Sequence, residues 1–139
     1  MSAGPAAGRG NRWRRQIAVI PFGPNRELGL ADVLTPHIGG IAGFYRMDGG
    51  PLNLVAQQDG VTSHPVFSRN LDMALAGNLD HDGQPELVAL RRTPDGGAVA
   101  WQATVGVKAV TNLASIESGA GMSLGVGRDD WVLRILLAP

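Results

Sequence analysis

The sequence contains no cysteine, no excess of either charge and no long hydrophobic run. Without cysteine no disulfide can hold the chain, and the redox compartment stays open. Twelve basic residues balance twelve acidic ones, which argues against a general nucleic-acid partner. No stretch approaches the roughly 18 apolar residues that a membrane-spanning helix needs. We therefore predict neither a nucleic-acid nor a membrane partner.

The N-terminal residues also lack the features of a secretory signal. Arginines are followed by a short apolar run that Pro21 interrupts, and no clear cleavage site comes after it. The expected location is therefore the cytoplasm, or the exterior by a non-classical route. Residues 1–11 are rich in glycine, alanine and proline and are predicted to be disordered. Residues 12–139 are long enough for a single domain.

Helical periodicity is missing, whereas turn-forming residues are abundant. Twenty glycines and nine prolines accompany a hydrophobic content of 44%, a composition typical of short strands and tight turns. We predict an all-β fold with almost no helix, and a loop from residue 114 to residue 121. The predicted strands are 16–22, 28–33, 41–46, 52–57, 66–68, 73–77, 87–90, 98–104, 107–113, 122–127 and 131–137.

A weak repeat with a period of about 45 residues divides the chain. Leu30-Ala31-Asp32 aligns with Leu75-Ala76-Gly77, and a third start lies at residues 123–127. The predicted repeats cover about 28–72, 73–117 and 118–139, and the strand at 16–22 is free to complete the last one. Each repeat has the size of a four-stranded propeller blade, but three blades are too few for a closed ring. We therefore predict a homo-oligomer, most simply a dimer that forms a six-bladed ring. A single β-sandwich or barrel is the alternative.

The most informative segment is an acidic turn at residues 78–86. Its oxygen-bearing side chains alternate along the chain, and Gly83 allows a sharp bend. Calcium prefers six to eight oxygen ligands, which a short loop supplies from alternate residues. The candidate metal ligands are Asn78, Asp80, Asp82, Gln84 and Glu86. The alternative is an ion-free turn held by side-chain hydrogen bonds to its own backbone.

Residues 76–90, AGNLDHDGQPELVAL, resemble the calcium-loop repeat of FG-GAP/VCBS β-propellers. In that repeat a small residue precedes D-x-D-x-D-G-x-x-D-L and a hydrophobic strand. Asn78 and Glu86 replace aspartates of the pattern, so the chain keeps the oxygens but has one charge fewer. The continuation to residue 104 is also similar to tectonin-type sugar-binding propeller repeats. These resemblances imply propeller blades, a structural calcium ion and a carbohydrate ligand.

Two aromatic–polar pairs are candidate ligand-binding residues. Trp101 with Gln102, and Trp131 with Arg134, can offer an aromatic face for a sugar ring and polar groups for its hydroxyls. Packing in the core or between blades is the alternative role. We predict a non-catalytic, carbohydrate-binding module, with glycan or protein as ligand. A structural self-assembly protein without a small-molecule ligand is the second hypothesis.

No catalytic residue is predicted. Ser63-His64 lacks a third residue to orient the base, and we expect the crowded carboxylates of the acidic turn to bind a cation rather than exchange protons. The three histidines are expected to lie exposed in turns; they are His37, His64 and His81.

Overall fold

The computed structural model describes residues 13–37, 40–64, 68–93, 96–99, 111–119, 121–128 and 130–137. In these ranges the chain forms eleven strands, no helix, and three antiparallel sheets, which confirms the predicted all-β class. The strands are β1 (Arg14–Ile20), β2 (Gly29–Leu34), β3 (Ile41–Arg46), β4 (Asn53–Asp59), β5 (Val61–Thr62), β6 (Ala74–Gly77), β7 (Glu86–Thr93), β8 (Gly96–Val99), β9 (Ala114–Ser118), β10 (Gly121–Gly127) and β11 (Leu133–Leu136).

The first sheet is a four-stranded meander in the order β1-β2-β3-β4. Strand β1 pairs along its length with β2, with a bulge between Gln16 and Ala18. The strand predicted at 16–22 therefore belongs to the first sheet, and does not lie beside the last one. The chain leaves this sheet at Gly60, whose φ of +78° permits a sharp turn. The turn at Gly60 thus leads from β4 into β5 of the next sheet and does not close a hairpin.

Strand β7 is the centre of the second sheet and pairs with β5, β6 and β8. The third sheet has the order β11-β10-β9. Strand β9 occupies most of the predicted 114–121 loop, so that prediction was wrong. Its sequence Ala-Ser-Ile-Glu-Ser has little apolar alternation, and its strand conformation comes from pairing with β10. The 1–11 arm and most of the strands predicted at 66–68, 98–104 and 107–113 lie outside the described residues.

The core lies on both sides of the second sheet. Leu87 and Ala89 of β7 pack with Ala42 of the first sheet, whereas Val88 and Leu90 pack with residues of the third sheet. This division follows from the alternation of side chains along a strand. Because both faces of β7 are covered, its sequence is nearly continuously apolar at this point. The three sheets are therefore layered, with the second one in the middle.

The layer between the second and third sheets contains the larger core cluster. Its buried members are Met73, Leu79, Val88, Leu90, Leu113, Leu124 and Val126. Leu79 comes from the acidic turn, so this core also fixes the candidate site. Within the described ranges, no helix is long and apolar enough to cross a membrane.

Candidate functional site

The acidic turn brings three of its five predicted ligands together. Asp80, Asp82 and Glu86 each offer a carboxylate oxygen, and these oxygens lie within 4.8 Å of one another. A calcium ion keeps its ligands at about 2.3–2.6 Å, so ligand oxygens can stand up to roughly 5 Å apart. The spacing of the three carboxylates therefore fits a calcium ion.

The other two predicted ligands, Asn78 and Gln84, take part in hydrogen bonds between side chains and the backbone of the turn. Asn78 Oδ1 accepts the Gly83 N–H at 3.3 Å, and the Gln84 N–H donates to Asp82 Oδ1 at 2.7 Å. The Asp82 N–H donates to Asp80 Oδ1 at 3.1 Å. The bonds to Asp80 and Asp82, each from the N–H two residues on, are Asx turns, and such bonds also hold a turn of this kind without an ion.

Two features fix the position of the turn against the sheets. His81 and Gly83 have φ angles of +65° and +88°, which bend the chain between the carboxylates. Leu79 points inward and is only 1% exposed, while its N–H donates to Glu86 Oε2 at 2.7 Å. The turn is thus anchored by a buried side chain and closed by a carboxylate at the start of β7.

Glu86 is the carboxylate most affected by its surroundings. Its pKa is raised, first because burial penalises the charged form, and further because Asp80 and Asp82 are nearby negative charges. The hydrogen bond from Leu79 acts in the opposite direction. Bringing three carboxylates together without a cation therefore has an electrostatic cost, which a bound cation would relieve.

Trp131 lies in the turn between β10 and β11 and is 99% exposed. The turn is well connected. The Trp131 N–H donates to the Arg128 carbonyl at 3.2 Å, and the Arg128 N–H donates to the Val132 carbonyl at 2.9 Å. Arg128 also forms a 2.7 Å ion pair with Asp130. Trp131 itself has a φ of +66°, the left-handed region that disfavours a large side chain.

The other predicted ligand-binding residues are placed differently. Arg134 is an exposed residue of β11, opposite Val126 of β10. Trp101 and Gln102 lie outside the described residues.

The prediction for two of the three histidines was wrong. His64 is buried, and its ring meets that of His37 edge-on at 4.6 Å. His37 also contacts the Trp13 ring at 5.0 Å. Burial, followed by His37, lowers the pKa of His64, which favours its neutral form. Only His81 is exposed as predicted. Nothing in the local sequence indicates this cluster, because its members come from separate turns.

A buried ion pair in the first sheet was also not predicted. Asp32 is fully buried, and its Oδ2 lies 2.9 Å from Arg14 Nε. The Arg14 guanidinium lies over the Tyr45 ring, 5.4 Å from the centroid. Burial raises the pKa of Asp32, while Arg14 and the Tyr45 hydroxyl oppose that shift. Asp32 follows two apolar residues in β2, and its partners become neighbours only when β1 and β3 pair with that strand.

The raised pKa of Asp32 predicts a pH-dependent stability. The folded chain holds this proton more tightly than the unfolded chain, so the contribution is full below the unfolded pKa and is lost as pH rises through the raised value. As pH rises from the ordinary aspartate range towards neutrality, the free energy of unfolding of Asp32→Asn should fall less than that of the parent. Urea unfolding across this range measures the difference. If the free energy of unfolding of the two proteins changes equally with pH, the raised pKa of Asp32 is contradicted.

A cavity of about 780 Å³ opens between the first and second sheets. Phe22, Phe44 and Leu87 contribute apolar walls, and Glu27 and Arg46 contribute charged groups. Its volume is in the range of small-molecule sites. The sequence does not indicate it, because its walls come from distant segments.

Comparisons with protein-family models, with curated proteins and with solved structures find no match.

Proposed function

We propose that this chain is a non-catalytic binding module that recognises carbohydrate through Trp131 and is stabilised by calcium in the 78–86 turn. The observation that carries the proposal is the exposed tryptophan. Trp131 is 99% exposed and has a left-handed backbone, a conformation that costs an L-residue about 1–2 kcal/mol. Such a residue contributes almost no burial to the fold, and strained positions of this kind concentrate at functional sites.

Carbohydrate is the ligand class that suits this side chain. The apolar face of a sugar ring packs on an aromatic ring, and guanidinium donors bind sugar hydroxyls. Arg134 on β11 is exposed and remains the predicted polar partner of Trp131. The turn that carries Trp131 is braced by the Arg128–Asp130 ion pair, which limits the entropy lost on binding. Trp101 and Gln102 remain a predicted second contact.

The surroundings of the serine and histidine candidates support a non-catalytic role. Ser63 Oγ lies 3.0 Å from His64 Nδ1, but Ser63 is fully buried and His64 nearly so. A substrate could reach this pair only if the chain opened. The pair is better explained as a buried polar contact whose partners satisfy one another.

We further propose that the three layered sheets are blade-like units of a propeller-type architecture. The support is that the middle sheet is covered on both faces, as a blade is by its neighbours, and that the first sheet is a four-stranded meander. Closure into a ring by a second copy stays a prediction.

The carbohydrate test compares variants of one side chain. A glycan array should identify a ligand, and calorimetry should then show that Trp131→Ala weakens binding at least about tenfold, because the stacking surface is lost. Trp131→Phe should keep part of the affinity. Trp13→Ala is the matched control, since Trp13 is half exposed and lies against His37. Full binding by Trp131→Ala, or no glycan bound by the parent, would overturn the proposal.

Stability separates recognition from folding in this test. Because the Trp131 side chain is solvent-exposed, Trp131→Ala should leave the unfolding midpoint nearly unchanged. Trp131→Gly should raise stability by about 1 kcal/mol by relieving the left-handed backbone. The same binding measurement on Trp101→Ala tests the second predicted contact.

Calcium should raise the stability of metal-depleted protein. At a calcium concentration about 100 times the dissociation constant, the gain should be about 2.7 kcal/mol. Asp82→Asn should reduce this gain by removing one ligand charge, whereas Asp59→Asn, an exposed control in β4, should keep it. Thermal unfolding with calcium or chelator makes the measurement. If calcium in the millimolar range changes neither the midpoint nor the enthalpy of thermal unfolding, the metal proposal fails while the Trp131 proposal stands.

A further inference from the structure

The third sheet has two apolar faces, and one of them is open to solvent. Its inner face carries Leu124 and Val126 into the core. The register places Ile116 and Ile135 on the opposite face, beside Ser123 and Gly125 of the central strand. On this outer face the large side chains remain exposed: Ile116 69%, Leu133 68%, Ile135 63% and, just beyond β11, Leu137 72%.

The outer face carries no charge within its three strands. The charged residues of β9, β10 and β11 are Glu117 and Arg134. They pair with Met122 and Val126, so both occupy the inner side. A sheet with one face in water normally alternates apolar and polar residues, and an exposed apolar patch of this kind marks an interaction surface. In the second sheet both faces are apolar and both are covered by a neighbouring sheet, whereas the outer face of the third sheet is not covered.

The shape of the face is a ridge beside a trough. Leu133, Ile135 and Leu137 form the ridge along the edge strand β11. Gly125 and Ser123 form the trough on β10, and a Cβ placed on Gly125 would find no atom within 4 Å. Gly127 is different, because the Thr111 side chain already covers it. The trough is therefore open at the position opposite Ile135.

We propose that this outer face is a two-fold interface between two copies of this chain, with Ile135 of each copy packed over Gly125 of the other. A two-fold axis parallel to the strands, between β10 and β11, sets each ridge over the opposing trough. This rotation keeps each residue at the same height along the strands. Ile135 of one copy therefore meets Gly125 of the other, and Gly125 is also the residue that pairs with Ile135 within one chain.

Charge and shape both favour a second copy as the occupant. The face is uncharged, so pairing with itself brings no like-charge repulsion, and each copy offers both the ridge and the trough that the other needs. A head-to-tail ring would instead pack this face of one copy against the outer face of the first sheet of the other. On that first-sheet face Leu30, Asp32 and Tyr45 are already buried, so it offers less open apolar surface to the third sheet. The interface is independent of carbohydrate or calcium binding.

The test is the solution mass of the full chain over a wide concentration range. The parent should be dimeric by sedimentation equilibrium. Gly125→Val fills the trough, where the isolated chain has space, and should weaken the dimer at least about tenfold while the circular dichroism spectrum is kept. Ile135→Lys should weaken it more, since it buries a charge. Val19→Lys, a half-exposed control on the first sheet, should have no effect.

Cross-linking tests the contact itself, because the chain has no cysteine of its own. A mixture of Gly125→Cys and Ile135→Cys should form the mixed disulfide faster than either variant forms its own. A chain that is monomeric at every concentration would overturn the proposal and leave the face to a different partner. A dimer weakened by Val19→Lys as well as by Ile135→Lys would overturn it in favour of the ring, and a dimer unaffected by Ile135→Lys would overturn it outright.

Discussion

Replacing Gly40 with alanine is expected to lower the free energy of unfolding by about 2–4 kcal/mol. Gly40 has a φ of +59°, and an added Cβ would overlap the carbonyl oxygen of Val61 and lie 2.8 Å from its carbonyl carbon. The Gly40 carbonyl also accepts the Gly60 N–H at 2.9 Å. Gly40 therefore lies where the backbone of the first sheet touches β5 of the second, and alanine must push these segments apart.

Gly49→Ala separates the two causes of this loss. Gly49 also has a positive φ, +84°, but an added Cβ would meet no atom within 4 Å. Alanine at this position should lower the free energy of unfolding only by the cost of its left-handed backbone, about 1 kcal/mol. Urea unfolding of both variants measures the difference. Equal losses would show that the close approach of Gly40 to Val61 does not matter to stability.

Leu79→Ala is expected to destabilise the chain by about 2–5 kcal/mol, the range for a buried leucine that leaves a cavity. Leu79 is 1% exposed and packs in the larger core cluster, although it lies among the acidic residues of the turn. Its N–H also closes the turn onto Glu86. The substitution should therefore also reduce the stabilisation by calcium, because the carboxylates lose their fixed positions.

Leu54→Ala is the matched control for this variant. Leu54 is 48% exposed on the edge strand β4, so its truncation should change stability by no more than about 0.5 kcal/mol. Chemical denaturation, followed by calcium titration of the folded variants, makes both measurements. If Leu79→Ala costs no more than Leu54→Ala, the turn is not anchored in the core.

Local sequence patterns predicted the class of fold well. Strand β3 has the predicted bounds, 41–46, because a short β-branched and aromatic run lies between glycine-rich turns. Strand β9 was missed because Ile116 is the single large apolar residue in its five. The alternating oxygens of the acidic turn likewise predicted that Asp80, Asp82 and Glu86 would meet, since such a loop needs little from the rest of the chain.

Other features depend on contacts between distant segments. Trp131 is exposed and His64 is buried because the packed sheets leave one turn open and cover the other. The local sequence around either residue does not predict this difference. The partner of Asp32 is set by strand register, since a shift of one residue would place its side chain on the opposite face.

By itself, the sequence determined most of the strands and the meeting of Asp80, Asp82 and Glu86 in the 78–86 loop, because these depend on residues close together along the chain. Tertiary structure alone decided how the sheets are layered, where Leu79 is anchored, and which apolar face remains open. The reason is that burial is a property of neighbours in space. Leu90 and Leu133 are the same residue in similar strands, yet one is 1% exposed and the other 68%.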